Sequence, residues 1–87
     1  MIIKSMEKLG ALIFIQINEG SSPIEVAEAL TKKAGVDEVL LISGDWDLVI
    51  RLSFEEMEDL SKFVVSELRS IKGVGQTDTK VILDKVK

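Results

Sequence analysis

The chain reads as an α+β domain in which four strands and two helices follow the order β-α-β-β-α-β. Three observations predict this. A β-branched apolar block, Ala11-Leu12-Ile13-Phe14-Ile15-Gln16-Ile17, ends at the turn formers Asn18-Glu19-Gly20. Two segments with helical spacing of apolar residues each follow a serine suited to capping, Ser22 and Ser53. Between them, two strand-like runs are joined by the short Ser43-to-Asp47 connection, the spacing of a hairpin.

Taken in order, the Ala11–Ile17 block is a buried strand. Ser22 is then a natural N-cap, Pro23 fits the first helical position and Glu25 completes a capping box. This first helix places Ile24, Ala27, Leu30 and Ala34 on one stripe and stops at Gly35. Val36 to Ile42 and Leu48 to Leu52 are the second and third strands. Ser53 caps a second helix, with Glu56 three residues on and Glu55, Glu58 and Asp59 adding negative charge to its first turns. Met57, Leu60, Val64, Leu68 and Ile71 form its apolar face. Gly73 and Gly75 end that pattern, and Thr77 to Val86 is the fourth strand.

Each β-α-β half needs a right-handed crossover. Two such halves give the ferredoxin-like motif, a four-stranded antiparallel sheet with both helices on one face. The least polar strands, the first and third, belong in its centre. Such a sheet should alternate apolar and polar residues along each strand. The first strand instead sets Ala11, Ile13, Ile15 and Ile17 on one face against Leu12, Phe14 and Gln16 on the other. The third sets Leu48, Ile50 and Leu52 against Val49 and Arg51. An open face carrying Leu12, Phe14 and Val49, with Gln16 and Arg51 available for polar pairing, predicts a dimer or a larger assembly.

Composition points the same way. Residues 1–87 make one domain, and at this size only about 60% of the unfolded surface is buried on folding. Without cysteine, disulfides and thiolate metal sites are excluded, and self-association remains as a route to further stability. Hydrophobic residues at 46% and charged residues at 30% exclude a disordered chain. A net charge of −4 with scattered lysines and arginines argues against direct nucleic-acid binding. Lys80, Lys85 and Lys87 make at most a minor basic patch. The longest apolar run, Gly10 to Ile17, is too short to cross a bilayer. The opening Met1-Ile2-Ile3-Lys4-Ser5-Met6-Glu7-Lys8 lacks the features of a signal peptide. A cytoplasmic protein is therefore expected.

Two segments carry the polar chemistry. Gly44-Asp45-Trp46-Asp47-Leu48 puts an aromatic ring and two carboxylates at the hairpin tip, and Gly73-Val74-Gly75-Gln76-Thr77-Asp78-Thr79 supplies glycines and hydroxyls beside an apolar strand. If they meet, they outline a small polar pocket without a catalytic nucleophile. Each residue also has a local explanation. Aspartate is favoured in turns, threonine in strands, and tryptophan at oligomer contacts. Two glycines after a helix are often C-terminal punctuation, and their spacing is not that of a phosphate-binding loop. The acids at 55, 56, 58 and 59 read as a solvated helix face and not as a metal site. The sequence contains no His, Cys or Tyr, and no serine has a visible base partner, so a non-enzymatic role is expected, with no metal and no cofactor.

In this order and spacing, Phe14-Ile15-Gln16-Ile17, Gly20 with Ser22-Pro23, Gly35-Val36, Ser43-Gly44-Asp45-Trp46-Asp47-Leu48 and Gly73-Val74…Thr77-Asp78-Thr79 resemble the effector-binding (RAM) domain of the Lrp/AsnC transcriptional regulators. The resemblance spans Ala11 to Val86. About ten residues precede the first strand, too few for the helix-turn-helix domain of that family, so the chain resembles its stand-alone members. The resemblance implies a homo-oligomer built from dimers, up to octamers or larger rings, with an amino-acid effector held at contacts between dimers. It also implies a DNA-binding Lrp/AsnC-type regulator as a possible partner. By position, Gly44, Asp45, Trp46, Asp47, Thr77 and Thr79 would bind the effector, with Trp46 replacing a tyrosine common in the family. Two rival expectations are a ligand-independent interaction module and, by fold analogy alone, a small enzyme of the dimeric α/β-barrel group.

Overall fold

The β-branched run at the start of the chain becomes β1 (Leu9–Ile17), which pairs on both of its edges. The computed structural model describes residues 8–87. Met1–Glu7, most of the opening segment read above for a signal peptide, lie outside them. After β1 come α1 (Pro23–Thr31), β2 (Val36–Leu41), β3 (Leu48–Phe54), α2 (Met57–Lys62) with a π-helical continuation over Phe63–Leu68, and β4 (Val74–Val81). The sheet order is β2-β3-β1-β4 with every neighbouring pair antiparallel. The expected β-α-β-β-α-β order and the central β1 and β3 are both observed.

One face of the sheet forms the core. Ala11, Ile13 and Ile15 from β1 and Leu48, Ile50 and Leu52 from β3 are almost completely buried, in one cluster with Val26 and Leu30 of α1 and Leu60, Phe63 and Leu68 of the second helix. Period-two alternation selects these strand residues, because successive side chains point to opposite faces. Among the described residues no polar or charged side chain is buried.

The helices depart from the sequence reading in instructive ways. Ser22 caps α1 as expected, its Oγ accepting from the Glu25 N–H at 3.3 Å, with Pro23 opening the first turn. The buried stripe is Val26 and Leu30 with Ala27 beside it. Ile24 stays 52% exposed and Ala34 lies beyond the helix. The i, i+4 pair Val26/Leu30 is the ridge that meets the sheet, which turns Ile24 outward. Ser53 is not the cap of the second helix. β3 runs on to Phe54, whose side chain joins the core, and the Ser53 hydroxyl donates to the Asp37 carboxylate on β2. The cap moves to Glu56, whose backbone N–H donates to the Asp59 carboxylate at 3.0 Å.

Phe63 is buried together with Leu60, three residues before it and so on the same helical face, and with Leu68, five residues after it. In an α-helix, residues five apart diverge by about 140° around the axis. The i→i+5 bonding of the Phe63–Leu68 turn narrows that angle and lets Phe63 and Leu68 face the sheet together. Met57, expected on this face, is 51% exposed.

β4 begins three residues earlier than expected and stops sooner, because its partner β1 starts at Leu9. The last pairing bond runs from the Ile82 N–H to the Gly10 carbonyl at 2.9 Å, and Leu83 and Val86 beyond it are exposed. Between Ile15↔Thr77 and Ile17↔Val74 the register shifts, so Gly75 and Gln76 together oppose Gln16 in a β-bulge. Gly75 is thus a strand residue and not punctuation. A Cβ there would stand 2.8 Å from Asn18 Oδ1 and 3.0 Å from the Gln16 carbonyl oxygen.

Gly73 does turn the chain, with φ of +101°, and a Cβ on it would meet Val26 Cγ2 at 2.9 Å. Gly20 has a similar φ of +88° but nothing within 4 Å. Gly73→Ala is therefore expected to lose more stability than Gly20→Ala. The left-handed conformation costs each variant about 1–2 kcal/mol, and the core clash at Gly73 adds to it. Urea midpoints of the two variants against the parent chain check this; equal midpoints would contradict it.

Candidate functional site

Both polar segments gather at one end of the sheet, on either side of the last residues of β1. The Gln16-Ile17-Asn18 stretch joins them. On the hairpin side, the Gln16 side-chain amide donates to the Asp45 carbonyl at 2.9 Å, and the Ile17 N–H donates to Asp47 Oδ2 at 2.8 Å. The Asp47 N–H in turn donates to the Ile15 carbonyl at 3.0 Å. On the β4 side, the Asn18 N–H donates to the Gly73 carbonyl at 2.7 Å and its side-chain amide to the Val74 carbonyl at 3.4 Å. Gly44, with φ of +112°, supplies the backbone conformation that lets the hairpin turn back.

The physical reason for the Asp47 contact is the end of β3. Pairing of β1 with β3 stops at Ile15↔Leu48, so the Ile17 N–H, which points to that same edge, has no strand carbonyl opposite it. The Asp47 carboxylate gives it an acceptor there, so one of its oxygens has a structural task and Oδ1 is left over. Asp45 stands exposed at the tip. Trp46 packs against Phe14, ring centroids 6.2 Å apart and planes inclined by 53°.

Thr77 and Thr79 oppose Ile15 and Ile13 and share their helix-covered face. Trp46 contacts Phe14, which lies on the other face. Within one protomer Thr77 lies toward the hairpin end of the sheet and Thr79 opposite the middle of β1, both on the face away from the Trp46–Phe14 contact. Among the described residues no cluster of three or more metal-ligating side chains occurs. Glu55, Glu56, Glu58 and Asp59 are all exposed.

The uncovered face carries the residues expected at an assembly contact. Phe14 lies between Val49 on β3 and Asp78 on β4, and Leu12 between Arg51 and Lys80. Gln16 continues the alternation. Arg51 stands 4.0 Å from Glu38, and Lys80 pairs with Asp78 at 3.1 Å. Leu40 of β2, opposite Val49, extends the apolar strip and is half exposed. Sequence reading missed Leu40 because the bulge between Val36 and Glu38 shifts the register of β2. No helix among the described residues is long and apolar enough to cross a membrane.

The family profile of the Lrp/AsnC ligand binding domain matches residues 10–87. The chain belongs to this family. An uncharacterised helix-turn-helix-type transcriptional regulator of Pyrococcus abyssi is 41% identical over 83 residues, which cover 91% of this chain and 55% of the regulator. This chain thus spans about half the length of that relative. A homocitrate synthase of Sulfurisphaera tokodaii is 30% identical over 83 residues, 95% of this chain but 18% of the enzyme. Among solved structures, a transcriptional regulator of Neisseria meningitidis in complex with L-Met superposes with a TM-score of 0.83 at 26% identity, over 91% of this chain and 52% of that one. The fold and the regulatory ligand-binding class are thereby established.

Replacing Asp47 tests its structural task. Asp47→Ala leaves the Ile17 N–H without its acceptor and is expected to cost about 1–3 kcal/mol, whereas Asp47→Asn keeps an oxygen in place and costs less. Amide hydrogen exchange at Ile17 should accelerate in Asp47→Ala. Unchanged protection there would show that the bond contributes nothing.

Proposed function

We propose that this chain is an amino-acid-responsive regulatory domain that works as a homo-oligomer and has no catalytic step of its own. The observation that carries the reading is its membership in the Lrp/AsnC ligand-binding family across residues 10–87, one relative of which is solved as an L-Met complex. The chemistry of the candidate residues agrees. A zwitterion needs acceptors for its ammonium group, available at Asp45 and at Oδ1 of Asp47. It also needs donors for its carboxylate, available at the hydroxyls of Thr77 and Thr79 and at backbone N–H groups. Because the hairpin and the threonines occupy opposite faces of the sheet, the site is completed by a second copy. That accords with an effector held between dimers in an octamer or larger ring.

The dimer itself buries the open face. Leu12, Phe14, Leu40 and Val49 form its apolar centre, with Gln16 and Arg51 at its edge. Leu40, half exposed, has the most to gain, whereas Leu12 and Phe14 are partly buried and Val49 is only 9% exposed, so each contributes less than the roughly 1.5–3 kcal/mol of full burial. The effector acts by binding one assembly state more tightly than another, since a ligand shifts an equilibrium only through such a difference. The output is passed to a partner. The relatives supply two kinds, a DNA-binding regulator and, from the homologous segment within a homocitrate synthase, an enzyme. The sequence's lack of His, Cys and Tyr and its acidic balance support a role as the sensing part and not as the catalytic or DNA-reading part. A cytoplasmic location follows from that role.

Light scattering at micromolar concentration should give at least twice the chain mass. Phe14→Glu and Leu40→Glu should reduce it while leaving the far-ultraviolet circular dichroism unchanged. A monomer in the parent chain would refute the assembly. Thermal unfolding against each common amino acid at millimolar concentration tests the sensing. A ligand at 100 times its dissociation constant adds about 2.7 kcal/mol by mass action. One or a few amino acids should produce this rise, and Asp45→Ala or Thr79→Val should abolish it. No rise with any of them would favour a ligand-independent interaction module.

A further inference from the structure

An open cleft of about 520 Å³ lies where β4 begins, lined by Asn18, Arg69, Val74, Gly75, Gln76 and Thr77. Its volume falls in the range of small-molecule sites. Its chemistry is one-sided. The lining has one charged side chain, the Arg69 guanidinium, and no carboxylate, and its other polar side chains are two amides and a hydroxyl. Among the described residues Arg69 forms no ion pair, whereas Lys33, Arg51 and Lys80 are paired with Glu67, Glu38 and Asp78.

The walls of the cleft are held in place. Asn18 is tied to Gly73 and Val74 by the two bonds described above, and the glycine at 75 lets the β4 backbone press against it. The bulge leaves Gln76 exposed and free to turn its amide into the cleft. Arg69 is the C-cap of the π-helical turn, where the helix presents carbonyl oxygens. The helix end therefore repels an anion, and any attraction for one comes from the guanidinium itself.

We propose that this cleft binds a carboxylate, with Arg69 as the anchoring cation and the Gln76 amide and Thr77 hydroxyl as neutral donors. A guanidinium fork matches a carboxylate through two parallel hydrogen bonds. In an amino-acid effector the group is its carboxylate, and a simple dicarboxylate presents the same chemistry. The inference deepens the proposed function and rests on that reading for the identity of the ligand. Thr77, already a candidate effector residue, links the cleft to the rest of the site. Arg69 and Gln76 are both exposed beside it, so any preference for a carboxylate comes from the attraction these donors add and not from a charge left buried without a partner.

The test is a nitrogen–proton NMR titration of the parent chain that follows the Arg69 Nε–H and the Gln76 and Thr77 amides. The probes are each common amino acid, the carboxamide of any that binds, and succinate. The amino acid that stabilises the protein should shift all three signals, and its carboxamide should not. Arg69→Gln should weaken its binding by about tenfold or more without altering the unfolding temperature of the free protein, and Arg69→Lys should recover part of the loss. Unaltered binding in Arg69→Gln would overturn the Arg69 assignment and leave the amino-acid reading standing. If no amino acid binds but succinate shifts the Arg69 signal, the carboxylate site stands and the amino-acid reading falls. If neither amino acids nor succinate move that signal, the cleft assignment is wrong.

Discussion

The structure depends on β1 being paired along both edges while only one of its faces is covered. Pairing with β3 and β4 satisfies its backbone groups on both sides and lets Ala11, Ile13 and Ile15 sit fully buried beneath the helices. The same pairing fixes Leu12, Phe14 and Gln16 on the opposite face, where no helix reaches. A strand that is apolar on both sides, placed centrally in a one-sided sheet, leaves an apolar strip on the surface. Both helices pack on the first face, which leaves the second without a helix over it among the described residues.

The far end of β1 joins the two polar segments. Gln16, Ile17 and Asn18 bond to the hairpin on one side and to the start of β4 on the other, so three adjacent residues tie the two segments together. On one edge of this junction the pairing with β3 has ended, which leaves the Ile17 N–H to Asp47. On the other edge the bulge at Gly75 and Gln76 interrupts the ladder, and both residues line the cleft that Arg69 also borders. Irregularities of this kind commonly lie beside functional sites, where they re-aim side chains.

The homologous segments sit in proteins of two kinds, helix-turn-helix-type regulators and a homocitrate synthase. That distribution fits a domain whose own chemistry is recognition. A half-covered sheet holds the two polar segments at one end and leaves its other face without a helix over it. What is attached to it or bound by it can then vary without disturbing either. Lys33 and Glu67, joined at 3.1 Å between the end of α1 and the π-helical turn, lie on the helix side and leave the open face free.

Local patterns in the sequence determined the element order, the central β1 and β3, the α1 cap at Ser22 and the two-faced character of β1. Each of these follows from residues close together in the chain, through period-two or helical spacing and side-chain capping. Tertiary structure alone decided the rest. Ser53 was capable of capping a helix, but pairing of β3 with β2 placed it beside Asp37 and moved the cap to Glu56. Phe63 and Leu68, five residues apart, face the core together through a π-helical turn that α-helical spacing does not anticipate. Gly75 looked like punctuation until Asn18, far away in sequence, was brought against it. Asp47 carries no local mark of its bond to the Ile17 N–H, since the acceptor needed there and the cleft beside β4 exist only once β1, the hairpin and the second helix have come together.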